Sequence, residues 1–178
     1  MDRSPNVVLT GFMGTGKSEV GRRLAQRLGR AFVDTDQLVE ERAGKRVAVI
    51  FADDGEPAFR ALERTAVADA AARGSAVVAV GGGAVLDPEN VRALRECGVL
   101  VYLTARPDVI LRRVGDVRSR PLLRDDPRAT ISRLLGERGP VYAKEADVTV
   151  DTSDHTADEV VEEIQQALAR SERWKSST

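Results

Sequence analysis

The chain has 178 residues, 42% of them apolar and 31% charged, with a net charge of −1. That length and balance suit one globular domain with its own core, and argue against a general nucleic-acid binder or an anionic-membrane binder. A single Cys (Cys97) and a single His (His155) exclude a disulfide framework, a Cys/His zinc site and any triad that needs a spare imidazole, so the chemistry must come from carboxylates, Lys, Arg, backbone amides or a bound ion.

The opening MDRSPNVVLTGF carries one Arg and a five-residue apolar run, too short for a signal-peptide core, and no apolar run approaches the ~18 residues of a membrane span. The expectation is a cytoplasmic chain with no membrane or nucleic-acid partner. In chain order, short Val-rich runs at 6–10, 31–34, 76–80, 99–103 and 148–150 predict strands, apolar on both faces as in a covered parallel sheet. Segments with helical periodicity at 17–28, 35–43, 57–73, 88–96, 107–114, 127–143 and 156–170 lie between and after them. Four of these seven start on Pro57, Pro88, Pro107 and Pro127, where the missing N–H costs nothing. The alternation predicts an α/β fold, a five-stranded parallel sheet flanked by helices, with ligands bound beyond the carboxyl ends of the strands. Residues 1–170 are expected to form the domain. The Arg-rich, Pro-containing stretch 115–126 is expected to be a mobile lid. The polar tail 171–178 is expected to fray, with Trp174 idle or packed as part of it.

Directly after the first run comes Gly11-Phe12-Met13-Gly14-Thr15-Gly16-Lys17-Ser18, a full GxxxxGK[ST] match between a predicted strand and a predicted helix. Glycines let backbone N–H groups turn onto phosphate oxygens, the helix start adds positive charge, Lys17 reaches the β- and γ-phosphates and Ser18 is placed for Mg²⁺. Gly14, Thr15, Gly16, Lys17, Ser18 and Glu19 form the predicted ATP-binding stretch. An acid at Glu19 suits the first helical turn and is expected to point away from the phosphates.

Four further features lie at the same predicted sheet edge or beside it. Asp34-Thr35-Asp36 ends the second strand, where Asp34 or Asp36 serves either as a helix N-cap or as a ligand. Gly81-Gly82-Gly83 follows the third strand and implies close approach to the backbone, positive φ, or both. Phe59-Arg60-x-x-Glu63 places Arg60 and Glu63 at i, i+3, either a surface pair or a guanidinium aimed at a substrate anion. Between Arg112 and Arg138 there are 8 Arg against 4 acids, including Arg120-Pro121-Leu122-Leu123 and Arg138-Gly139-Pro140-Val141-Tyr142. Such a run is either a solvated charged face or a source of lid arginines that neutralise a transferring phosphoryl group.

GFMGTGKS, DTD, FRALE, GGG, RPLL and RGPVY, in this order and spacing, make the chain resemble the shikimate kinases, relatives of the nucleoside monophosphate kinases, over essentially its length to Arg170. The resemblance implies a P-loop kinase fold with a substrate-binding helical region over 45–73. It implies transfer of the γ-phosphate of ATP to the 3-hydroxyl of shikimate, with Mg²⁺, by a cytoplasmic monomer on the route to chorismate and aromatic amino acids. It implies catalytic roles for Lys17, Asp34 and Arg120, with Ser18 and Asp34 near the metal, Asp34 through water. Asp36 would bind substrate hydroxyls and Gly82 a ring hydroxyl through its backbone. Arg60 and Arg138 would hold the carboxylate, with Glu63 orienting Arg60, and Phe51 and Phe59 would wall the ring. Arg120 would meet the γ-phosphate, and Arg113 with the segment near Asp151 to Asp154 would lie by adenine. Glu19 departs from the family pattern, where Thr is usual. The alternatives are a kinase of another small hydroxy acid such as gluconate, or a non-catalytic nucleotide-binding protein.

Overall fold

A computed structural model describes residues 4–115 and 126–175. Five strands form one all-parallel sheet: β1 (Asn6–Thr10), β2 (Ala31–Asp34), β3 (Ala76–Ala79), β4 (Gly98–Thr104) and β5 (Val148–Asp151), in the order β2-β3-β1-β4-β5. The helices are α1 (Lys17–Leu28), α2 (Thr35–Ala43), α3 (Val47–Asp53), α4 (Glu56–Arg73), α5 (Pro88–Cys97), α6 (Pro107–Val114), α7 (Pro127–Glu145), α8 (Ala157–Arg170) and α9 (Glu172–Lys175). Among the described residues no helix is long and apolar enough to cross a membrane.

The Val-rich strands are buried on both faces because successive side chains alternate between two separate cores. Val7, Leu9, Val77, Val99, Val101 and Leu103 pack under α1 and α8, while Val8, Val78, Leu100 and Tyr102 face α4, α5, α6 and α7. A third, smaller core of Val39, Ile50, Phe59 and Ala66 joins α2, α3 and α4 beside the sheet. The chain runs outward from β1 to β2, returns to β3, then crosses β1 to β4. The central pair β1 and β3 therefore marks the switch point, where the loops leaving their carboxyl ends diverge and open a crevice.

Two expectations are corrected. Residues 47–53 form α3, a separate helix that the apolar periodicity did not delimit within the 45–73 region; its first N–H donates to Glu40 Oε1 at 2.9 Å and Ile50 anchors it in the small core. The tail is not frayed throughout: α9 is helical, and Trp174 packs on the α1/α8 core with the Arg30 guanidinium 4.3 Å from its ring centroid. The burial of an indole face and a cation–π contact offset the polar composition around it.

Candidate active site

The loop from β1 to α1 is shaped by close packing at its start. Gly11 has φ +139°, and a Cβ there would lie 2.2 Å from the Leu103 carbonyl oxygen, so only glycine fits. Buried Thr15 donates from its hydroxyl to the Phe12 carbonyl at 2.8 Å, tightening the turn. Lys17, the first residue of α1, places Nζ on the loop, donating to the carbonyls of Gly11 (2.8 Å) and Phe12 (2.9 Å). Ser18 Oγ donates to Asp34 Oδ2 at 2.9 Å, while Asp34 Oδ1 accepts from the Asp36 N–H at 3.0 Å. Asp34 thus serves as N-cap of α2 through one oxygen and meets Ser18 at the start of α1 through the other. Ser18 and Asp34 supply hard oxygens of the kind Mg²⁺ takes. Among the described residues no group of three or more His, Cys, Asp or Glu could hold a metal. The pair therefore fits an ion shared with phosphate oxygens and water.

On the other side of the same crevice, β3 ends in the glycine triplet. None of the three has positive φ. Each instead leaves room for a neighbour: a Cβ at Gly81 would stand 2.7 Å from Asp36 Oδ1, and one at Gly83 2.5 Å from the Arg60 guanidinium. Close approach, rather than backbone freedom, is what these glycines supply. Arg60 Nη1 donates to Glu63 Oε2 at 2.6 Å and Nη2 to Glu56 Oε1 at 3.2 Å. Glu63 is 1% exposed, so the pair is an anchored guanidinium rather than a solvated surface pair. Asp36 Oδ1 and Glu63 Oε1 are buried without a hydrogen-bond partner among the described residues. Burial, then the neighbouring Asp34 carboxylate, pushes the Asp36 carboxyl up to about 6, against the opposing pull of Lys17. Burial likewise raises Glu63, against the lowering effect of Arg60. Acceptors at this depth call for donors from a ligand or from ordered water. Phe51 and Phe59 stack at 4.5 Å between centroids and wall the space. The cleft, about 480 Å³, is lined by Lys17, Ser18, Asp34, Asp36, Phe51, Phe59, Arg60, Glu63, Gly82 and Arg138 among others. Residues of the β1–α1 loop, α2, α3, α4, the glycine triplet and α7 therefore meet in one space of small-molecule size.

The family model for shikimate kinase matches residues 13–169. The chain belongs to the shikimate kinase family. It is 51% identical to the shikimate kinase of Caldanaerobacter subterraneus subsp. tengcongensis over 166 residues, covering 93% of this chain and 96% of that one. Its structure matches that of a shikimate kinase from Acinetobacter baumannii in complex with shikimate, with a TM-score of 0.90, 35% identity and 94% of each chain covered. A gluconokinase from Sinorhizobium meliloti matches at a TM-score of 0.55 and 22% identity, covering 96% of this chain and 94% of that one, a likeness of fold alone. The chain is a kinase, which sets aside the non-catalytic alternative, and its family sets aside the gluconate one.

Beyond the cradle the kinase has a second cleft of about 260 Å³, lined by Thr15, Gly16, Glu19, Val20, Arg113, Thr152, His155, Ala157 and Val160. Arg113 donates to Thr152 Oγ1 at 2.8 Å and to its carbonyl at 2.6 Å. Asp151 accepts from Ser153 within its own turn, and Asp154 pairs with Arg106 at 2.6 Å, so neither acid projects freely. Glu19 turns to Arg23, whose Nε donates to it at 2.8 Å and whose Nη1 reaches Asp158. Arg120 lies outside the described residues, as does the rest of 116–125.

Sequence reasoning missed three residues that hold the kinase's site together. Thr35 Oγ1 accepts from the Gly81 N–H at 3.2 Å. The Thr152 hydroxyl lies 3.1 Å from the Thr15 carbonyl oxygen and ties the second cleft to the cradle. Tyr142 donates to the Gly82 carbonyl. Thr35 and Tyr142 sit inside motifs already noted, as the middle of DTD and the end of RGPVY, and Thr152 lies in the segment noted near Asp151 to Asp154, but only the three-dimensional pairing shows their partners.

Proposed function

We propose that this kinase transfers the γ-phosphate of ATP to the 3-hydroxyl of shikimate, as a cytoplasmic monomer on the route to chorismate. The observation that carries the reading is the single cleft in which a phosphate cradle faces two arginines, two unsatisfied carboxylate oxygens and a glycine floor. That set matches one carboxylate plus several hydroxyls; it offers no stacked aromatic slot for an acceptor nucleobase.

In this reading Arg60 and Arg138 grip the shikimate carboxylate, with Glu63 and Glu56 fixing the Arg60 fork. Asp36 and the Gly82 backbone take ring hydroxyls, and Phe51 with Phe59 excludes water from the ring. Asp34 orients the attacking hydroxyl. Lys17 and the loop amides hold the β- and γ-phosphates, with Gly14 to Ser18 as the contact stretch and Glu19 at its border. Ser18 directly and Asp34 through water would hold Mg²⁺, which shields phosphate charge when bound. Arg113 and the segment after β5 flank the adenine. Arg120, outside the described residues, completes the proposal as the cation on the γ-phosphate, within a lid over 115–126. Phosphoryl transfer asks for positioning and charge neutralisation more than for a strong base, which suits a chain whose one histidine lies outside this cleft.

The test is an ADP-release assay with purified protein, Mg·ATP and a panel of acceptors. Turnover on shikimate is expected. Silence on shikimate with turnover on gluconate or a nucleoside monophosphate would overturn the reading.

A further inference from the structure

Tyr142 is fully buried, and the reading above gives its hydroxyl no task. Its ring lies beside that of Tyr102, with centroids 5.1 Å apart. A phenol so placed must find polar partners within the protein, and it has two. The hydroxyl donates to the Gly82 carbonyl at 2.5 Å, and the Arg138 guanidinium lies beside the phenol oxygen, drawing its pKa down against the larger effect of burial. Arg138 and Tyr142 stand one turn apart on α7 and share a face. Gly82 in turn rests on the cradle: a Cβ there would lie 3.4 Å from the Gly11 carbonyl oxygen and 3.7 Å from the Tyr142 hydroxyl.

The two arginines are therefore held by different chemistry. Arg60 is fixed by carboxylates, Glu63 at 2.6 Å and Glu56 at 3.2 Å, which also cancel part of its charge. Among the described residues no carboxylate comes within ion-pair distance of Arg138; the group beside it is the neutral Tyr142 phenol. Alignment by a phenol leaves the positive charge uncompensated for an incoming anion, where a carboxylate would compete with it.

We propose that Tyr142 is a positioning residue for the acceptor carboxylate: its hydroxyl fastens Arg138 to the Gly82 carbonyl, so that the guanidinium and the glycine floor are held in one fixed geometry. Burial pushes the phenol up to about 12, so it keeps the proton that it donates to Gly82 across the pH range in which a kinase works. The proposal rests on the assignment of Arg138 to the shikimate carboxylate.

Tyr142→Phe keeps the ring in its stack and removes the oxygen. The expected result is about a tenfold rise in KM for shikimate, the scale of one lost hydrogen bond to a charged group, with kcat and KM for ATP within about twofold of wild type. In an Arg138→Met background the same change is expected to add almost nothing, because its effect runs through Arg138. Tyr102→Phe, which removes the hydroxyl that meets Thr104 at 3.3 Å, is expected to leave all three constants unchanged. An unaltered KM for shikimate in Tyr142→Phe overturns the proposal. So do equal shifts in the ATP constants, additivity with Arg138→Met, or loss of cooperative melting, each of which makes the phenol a structural group. Calorimetric titration of wild type with shikimate separates the two levels. Wild type that binds and phosphorylates shikimate while Tyr142→Phe behaves identically removes only the positioning role. Wild type that neither binds nor phosphorylates shikimate removes both.

Discussion

The phosphate cradle is made of eight consecutive residues, 11–18, whereas the proposed acceptor side draws Asp36, Arg60, Gly82 and Arg138 from four segments far apart in the chain. The first is a backbone device. Its geometry follows from close packing at Gly11, from the start of α1 and from one hydroxyl, Thr15, folded back on Phe12. The second is a side-chain device, and its groups keep their places only because α2, α4 and α7 are held around them. The electrostatics differ as well. The cradle offers N–H groups and an ammonium to a polyanion, while the acceptor side buries carboxylate oxygens that lack donors and sets them beside two guanidiniums. The contrast teaches that a shared nucleotide site can be inherited as one cassette, while the acceptor site depends on the placement of several helices.

The sharpest way to break this comparison is to remove one group from each half. Lys17→Ala is expected to lower kcat roughly a thousandfold with little change in shikimate binding, the scale of losing a charge aimed at the transferring group. Steady-state kinetics with calorimetric binding of shikimate checks it, and equal damage to both would erase the division. Arg138→Ala is expected to raise KM for shikimate roughly 30-fold and to change kcat less, as for loss of a charge-assisted grip. A dominant effect on ATP would move Arg138 to the other half.

The smallest effect sharpens the electrostatic contrast. Asp36 is raised from 3.8 to about 6 in the folded chain. Between those values the folded protein keeps a proton that the unfolded chain has released, so stability from this group is greatest at low pH, falls as pH climbs through that window and is level above it. Asp36→Asn is therefore expected to flatten that slope and to raise Tm by about 4 °C at pH 7. Wild-type KM for shikimate is expected to rise as pH drops below about 6, where the protonated carboxyl accepts hydroxyls poorly. Thermal melts and KM across pH 4–8, wild type against variant, decide it; an identical Tm slope in both proteins would show that Asp36 is not strained.

Much of this was legible before any coordinates. The cradle is a contiguous pattern, and the five strands announce themselves as Val-rich runs, because a buried parallel sheet needs apolar residues on both faces. The proposed acceptor residues could be named only as a set in family order, and Asp36, Arg60, Gly82 and Arg138 do line one cleft. What stayed hidden depends on contacts between distant segments. VAVIFAD is rich in β-branched residues, and its helical form follows from the Glu40 cap and from burial of Ile50, in which tertiary packing overrides local preference. The glycine triplet left close approach and positive φ both open, and the neighbours Asp36 and Arg60 decide for the first. Nothing local to Tyr142 announces a carbonyl sixty residues earlier as its partner.

The small core of Val39, Ile50, Phe59 and Ala66 bears on the local stability of the helices it joins. It is separate from the two cores that clamp the sheet, and it contains too few side chains to make α3 as durable as β1 or β4. Amide exchange over α3 is therefore expected to be faster than over β1 or β4. Added shikimate is expected to slow that exchange, as a ligand bound only by the folded form does, and equal exchange with and without it would separate this unit from the acceptor site.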